Sequence, residues 1–191
     1  KTKVIGVIAL SDVIKPEARE VIILLKQMGI KTAMLTGDNE QTARYVAKEL
    51  GIDDYFSEVL PEDKVKKVKE LQSKGKVAMV GDGINDAPAL TQADIGIAIG
   101  AGTEVAIQSA EVILAKDNPL EVVKLVRLSK QTKNKMRQNL WWAAGYNLVA
   151  IPIAAGIFYP GIMLKPEWGA LIMAASSIIV VGNSLLLKRF K

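Results

Sequence analysis

Neither cysteine nor histidine occurs among the 191 residues. That excludes, within this chain, disulfides, zinc clusters, cysteine nucleophiles and imidazole bases. Chemistry done by these residues therefore falls to carboxylates, Lys, Thr and Asn. A secretory leader pattern is also missing, because Lys1 directly precedes the strand-like Val4 to Leu10 with no long apolar core or cleavage site. The expectation is a piece of a longer protein. Internal repeats and low-complexity stretches are not visible either.

Charge is absent from two long runs, Leu140 to Leu164 and Trp168 to Leu187. Roughly 20 apolar residues are what a spanning helix needs, so both read as transmembrane helices. Half of the residues are hydrophobic and the mean hydropathy is positive, which is too apolar for a purely soluble chain. The net charge of +5 divides unevenly at Pro119. Residues 1–119 hold 15 Lys and Arg against 18 Asp and Glu, and residues 120–191 hold 10 against 2. Lys124, Arg127, Lys130, Lys133, Lys135 and Arg137 precede the first apolar run, Lys188, Arg189 and Lys191 follow the second, and Lys165 alone sits in the turn. By the positive-inside rule both ends and the acidic soluble part face the cytoplasm. Nucleic-acid binding, which wants a basic stripe on the soluble part, is not expected.

Residues 1–118 alternate short β-rich runs with amphipathic helical runs, the pattern of parallel strands joined by helical crossovers. Strands are expected at Val4 to Leu10, Lys31 to Leu35, Val77 to Val80, Ile95 to Ile99 and Val112 to Leu114. Helices are expected at Pro16 to Met28, Asn39 to Leu50, Pro61 to Lys74 and Asp86 to Gln92, with Gly29, Gly51 and Gly75 as stop signals. Residues 119–138 read as a basic stalk helix. Residues 139–191 read as a two-helix hairpin, its turn signalled by Tyr159-Pro160-Gly161 and its interfaces by Trp141, Trp142, Phe158, Tyr159 and Trp168.

Three stretches carry groups suited to a phosphoryl site, at strand ends or a helix start. In Leu35-Thr36-Gly37-Asp38-Asn39 the Thr36 hydroxyl and the turn amides suit phosphate oxygens; a plain Thr or Asp helix cap is the alternative. Lys64 follows Leu60-Pro61-Glu62-Asp63 and supplies a point charge for a transferring group, if it is not simply one more solvated lysine. Gly81-Asp82-Gly83-Ile84-Asn85-Asp86 sets two carboxylates and an amide beside a glycine turn at the carboxyl end of a strand, which suits a hard, oxygen-liganded cation. Ordinary turns use the same residues.

Together these signals resemble the phosphorylation domain of P-type ion-transporting ATPases, a branch of the haloacid dehalogenase superfamily, and the resemblance runs from about Val4 to Lys191. It implies a Rossmann-like α/β fold and an aspartyl-phosphate intermediate made from ATP. The nucleophile of that family lies in an Asp-Lys-Thr-Gly-Thr string, which does not occur here, so it is expected upstream and this chain alone is expected to be inactive. Carried over by motif, Thr36, Gly37 and Asp38 correspond to the Thr-Gly-Asp element, Lys64 to the phosphate-neutralising lysine and Asp82 to the Mg²⁺ ligand. Asn85 and Asp86 support that ligand. Asp12 and Pro16 match a further element near the hinge.

Polar residues inside a membrane span are costly enough to be functional candidates, although helix-packing hydrogen bonds among Asn and Ser explain them too. Asn139-x6-Tyr146-Asn147-x4-Pro152 and Met173-x2-Ser176-Ser177-x5-Asn183 resemble the last two spans of copper-transporting P-type ATPases. The resemblance implies a copper site from Tyr146, Asn147, Met173 and Ser177, with the Met173 thioether suiting Cu(I). Pro152 should free backbone carbonyls near the path. Gly145-Tyr146-Asn147 and Pro166 also suit a related branch with a Cys-Pro-His span, associated with Cu(II) as well as Cu(I) and silver, although that branch usually has Ser-Thr where Ser176-Ser177 stands. The implied whole is an integral, plasma-membrane copper exporter that uses ATP and Mg²⁺ and takes copper from a chaperone. A membrane-anchored phosphatase of the same superfamily and a catalytically inert membrane-tethered regulator are the alternatives.

Overall fold

Two glycines in left-handed backbone end the first helices, because that conformation costs a residue without Cβ nothing. Helix α1 (Ala18–Gln27) closes at Gly29 with φ +75°, where Ile30 N–H bonds the Leu25 carbonyl at 3.0 Å. Helix α2 (Glu40–Leu50) starts at Asn39, whose side chain accepts from Thr42 N–H at 2.9 Å, and ends at Gly51 with φ +74°. Between them lies β1 (Ala33–Leu35), and after α2 comes β2 (Asp54–Phe56). The computed structural model describes residues 13–81, 84–100, 108–157, 161 and 166–189. The expected strand at Val4 to Leu10, Asp12, Asp82, Gly83, Tyr159, Pro160 and Lys165 lie outside the described residues.

Helix α3 (Pro61–Gln72) opens with Pro at its first position and Glu62 and Asp63 in its first turn, both favourable at a helix N-terminus. Strand β3 (Ala78–Gly81) runs to a 3₁₀ turn over Ile84–Asp86, then α4 (Ala87–Gln92), β4 (Ile95–Ile99) and β5 (Val112–Leu114). Every described strand pair is parallel. β1 pairs β2 with Leu35 opposite Phe56; β3 pairs β4 with Gly81 opposite Ala98; β4 pairs β5 with Ile99 opposite Leu114. Among the described residues these form one sheet of two strands and one of three, in the order β3-β4-β5. Helices α2 and α4 supply crossovers, as parallel strands require. Val68, Ala89 and Ala93 are buried together, with Leu35, Val77 and Met79 packed against them. That cluster touches both sheets and α3 and α4, so β1 and β3 share one core.

The chain divides into two units, Lys1–Val123 and Lys124–Lys191. Helix α5 (Leu120–Ala154) is continuous through the expected stalk and into the expected first span, with Pro152 inside it. No glycine or proline stop signal occurs between 119 and 144, so nothing interrupts it. Helix α6 (Pro166–Leu185) continues into a 3₁₀ turn, Leu186–Arg189. Among the described residues one helix, Glu167–Lys188, is long and apolar enough to cross a membrane. The described helix over the expected first span ends at Ala154, and Asn139, Tyr146 and Asn147 lower its apolar character. All three tryptophans, Trp141, Trp142 and Trp168, are exposed on these two helices.

Candidate functional site

The turn after β1 is closed from both sides. Thr36 N–H donates to the Phe56 carbonyl at 3.0 Å, extending the β1–β2 ladder by one residue. The Thr36 carbonyl accepts from Val59 N–H at 3.0 Å and the Asp38 carbonyl from Glu58 N–H at 2.8 Å. Glu58 reaches this position at φ +52°, a left-handed conformation uncommon outside glycine. Within the turn, Thr36 Oγ1 donates to Asp38 Oδ2 at 2.8 Å and accepts from Asp38 N–H at 3.1 Å. Asn39 caps α2, so Thr36 and Asp38 are free of the capping task that the sequence left open for them. A phosphoryl oxygen arriving at Thr36 competes with Asp38 for one hydroxyl proton.

Beside the same turn, Glu40 in the first turn of α2 accepts from Ser57 Oγ and Tyr55 Oη, each at 2.7 Å. These bonds, the Ser57 hydroxyl first, hold its carboxyl below the usual value. They fasten the start of α2 to the end of β2.

The Val59 bond leads directly into Leu60 and α3, which delivers Lys64 one turn later. Lys64 Nζ donates to Asp86 Oδ1 at 2.7 Å, and the two side chains are only 16% and 13% exposed. Asp86 stands just ahead of α4 and packs over Gly81, where an added Cβ would lie 2.8 Å from Asp86 Cβ and 2.9 Å from its Oδ2. Glycine at the end of β3 is what lets this carboxylate approach. Asn85 sits in the 3₁₀ turn between them. Thus the structure joins Thr36 with Asp38 and Lys64 with Asp86 at the carboxyl ends of β1 and β3. Asp82 directly follows β3 and lies outside the described residues. The Lys64–Asp86 pair was not foreseen, since residues 22 apart meet only through the packing of α3 against α4.

On the long helices, Asn147 Nδ2 donates to the Ala143 carbonyl at 2.9 Å, and Ser177 Oγ donates to the Met173 carbonyl at 3.2 Å. Each bond lies within one helix. Ser177 uses its one hydroxyl proton on backbone and Asn147 one of its two amide protons, and a side-chain oxygen can still accept or act as a ligand. Asn139 and Asn183, by contrast, hydrogen-bond each other across α5 and α6 at 2.8 Å, with Lys135 and Ser184 drawn in.

A haloacid dehalogenase-like hydrolase family model matches residues 1–94. Copper-exporting P-type ATPase B of Archaeoglobus fulgidus is 58% identical over 187 residues, covering 97% of this chain and 27% of that protein. Copper-transporting ATPase 2 of Mus musculus is 55% identical over 188 residues, covering 97% of this chain and 13% of that protein. The crystal structure of a zinc-transporting PIB-type ATPase in its E2.Pi state superposes with a TM-score of 0.83 at 36% identity, covering 92% of this chain and 28% of that one. The chain thus spans about a quarter or less of the relatives it matches. Identity above one half over 97% of its length, with the closed Thr36 turn after β1 and the Lys64–Asp86 pair beside the end of β3, assigns this chain to the copper-transporting, heavy-metal family of P-type ATPases.

Proposed function

We propose that these residues belong to an ATP-driven copper exporter, in which they supply the second part of the phosphorylation domain and the last two membrane helices. The observation that carries this reading is the combination, in one chain 58% identical over 97% of its length to a copper exporter, of the closed Thr36 turn and the Lys64–Asp86 pair with a polar pattern on α5 and α6. The attacking carboxylate comes from a segment outside these 191 residues, in keeping with the absent Asp-Lys-Thr-Gly-Thr string. Strands β1 and β3, whose carboxyl ends carry Thr36 and Asp82, stand at the edges of their sheets among the described residues. A strand bearing the nucleophile fits between such edges.

In this reading Thr36 donates its hydroxyl proton to a phosphoryl oxygen, giving up Asp38. Gly37 keeps the turn low enough for the phosphoryl group to approach, and Asp38 holds the threonine hydroxyl in place until it does. Lys64 turns from Asp86 toward the phosphoryl charge, which frees the Asp86 carboxylate. Asp82 and Asp86, backed by Asn85, are the hard oxygen donors that would hold Mg²⁺, which when bound would offset charge on the phosphoryl oxygens. The carboxylate seated against Gly81 fits that donor set.

The cargo path runs between α5 and α6. Tyr146, Asn147, Met173 and Ser177 receive the ion, and the exposed Met173 thioether selects a soft cation such as Cu(I) over Mg²⁺ or Ca²⁺. The basic residues before and after the pair put both chain ends and the α/β unit in the cytoplasm of a plasma-membrane protein, where a copper chaperone meets it.

The test uses the full-length enzyme. Asp82→Asn is expected to abolish phosphoenzyme formation from ATP, and Met173→Ala to remove copper-dependent turnover while phosphorylation by inorganic phosphate persists. Normal phosphoenzyme in the first variant, or unchanged copper activation in the second, overturns the corresponding half of the reading.

A further inference from the structure

Asn139 and Asn183 belong to the polar pattern of the long helices, yet the ion set leaves them without a task. Asn183 Nδ2 donates to Asn139 Oδ1 at 2.8 Å and, more weakly, to Gln138 Oε1 at 3.4 Å, Lys135 Nζ donates to Asn183 Oδ1 at 2.6 Å, and Asn139 Nδ2 donates to Ser184 Oγ at 2.9 Å. Ser184 Oγ passes its own proton to the Val180 carbonyl at 2.9 Å. Both ends of each amide are therefore engaged on the opposite helix. An ammonium on Asn183 Oδ1 repels a cation, so this cluster is not part of the ion's coordination.

Its position along the helices is informative. At 1.5 Å of rise per residue, Asn147 stands about 12 Å along α5 from Asn139, while Ser177 and Met173 stand about 9 and 15 Å along α6 from Asn183. The eleven residues between Ala154 and Pro166 reach at most about 40 Å. A parallel pair held at Asn139 and Asn183 would set those two ends about 48 Å apart, so the helices run antiparallel and both distances count in one direction. Tyr146 and Asn147 then fall, in depth, between Ser177 and Met173. Apolar helix faces slide over one another with little change in contact, whereas an amide pair closes at one register only, because one residue of slip moves it 1.5 Å and turns it away.

We propose that Asn139 and Asn183, held by Lys135 and Ser184, are positioning residues that fix the register of α5 against α6 and so bring the four ion-binding residues to one level. The inference rests on the copper reading above for the identity of the ion.

The experiment is copper-dependent ATP hydrolysis of the full-length enzyme against copper concentration. Asn139→Leu and Asn183→Leu should each raise the half-activating copper concentration about tenfold, the effect expected of a residue that orients a metal ligand. The rate at saturating copper stays within about twofold, and the double variant is no worse than Asn183→Leu alone, since that change already removes the bond lost in Asn139→Leu. Phosphorylation by inorganic phosphate is unchanged. Asn183→Asp, which keeps the Lys135 partner, rises less than Asn183→Leu. Should Asn183→Leu not reach the membrane, Asn139→Leu gives the same readout with the Lys135–Asn183 bond intact. Unchanged half-activation in the single variants, or additive losses in the double, overturns the proposal if Met173→Ala abolishes copper activation in the same preparation. If Met173→Ala is also without effect, the ion site itself is wrongly placed and the proposal falls with it.

Discussion

Asp86→Asn removes one charge from a pair that water hardly reaches. Lys64 and Asp86 are 2.7 Å apart and 16% and 13% exposed. The variant leaves an ammonium largely withdrawn from solvent and facing an amide oxygen. Breaking a fully buried pair from one side costs about 3–5 kcal/mol. The remaining exposure and the hydrogen bond an Asn oxygen still accepts bring the expectation here to about 2 kcal/mol. Lys66 and Asp63 give the control, being 2.6 Å apart but 78% and 42% exposed. Asp63→Asn should cost less than about 0.5 kcal/mol, as exposed pairs do. Nearly equal distances leave as the differences burial and the fact that one pair lies within a helix turn while the other links α3 to the start of α4. Hydrogen exchange read by mass spectrometry on peptides covering α3 and β3 is the assay, and a loss of about 2 kcal/mol appears there as roughly 30-fold faster exchange. Equal exchange in the two variants would refute the reasoning, because the Lys64–Asp86 bond would then be no more than a surface contact.

Gly96→Ala should lower stability by about 1–3 kcal/mol, since the new Cβ lies 2.7 Å from the Leu90 carbonyl oxygen, a backbone atom with nowhere to go. Gly75→Ala, with open space around it, is neutral to within about 0.5 kcal/mol; thermal unfolding of both variants checks the contrast. Acid is the third perturbation. Lys26, followed by the Thr32 amide, holds Asp53 at about 2, and Lys76, followed by the Val77 amide, holds Asp94 at about 2. A carboxyl with its folded value depressed below the ordinary 3.8 stabilises fully above that value and loses the contribution as pH falls through its folded value. The unfolding temperature should therefore be insensitive to these two groups at neutral pH and fall between about pH 4 and pH 2. Replacing both with Asn should flatten that fall, and an unaltered slope in the double variant counts against their role.

Local chemistry made most of the α/β unit readable. Left-handed glycines at 29 and 51, Pro61 at a first helical position and four of the described strands all follow from residue type. Strand β2 escaped notice because Asp54, Tyr55 and Phe56 show no alternation of their own and become a strand by pairing with β1. The boundary between stalk and span was likewise invisible as a break, because helix formation does not distinguish Lys and Gln from Leu and Ala strongly enough to stop at Gln138. In the candidate site, Thr36, Lys64 and Asp86 were singled out by local residue type and by the resemblance, but the bond between Lys64 and Asp86 depends on how α3 and α4 pack. The same holds for Asn139 and Asn183, which stand out as polar residues in or beside the uncharged runs without disclosing that they bind one another.

Confining every indole to α5 and α6 divides the protein optically. Emission excited at 295 nm originates wholly from the helical unit, while the α/β unit, with Tyr45 and Tyr55 among its described residues, stays dark. Brominated or spin-labelled acyl chains can therefore test whether, and how deep, Trp141, Trp142 and Trp168 enter a bilayer without any background from the α/β unit of this chain and without attaching a dye.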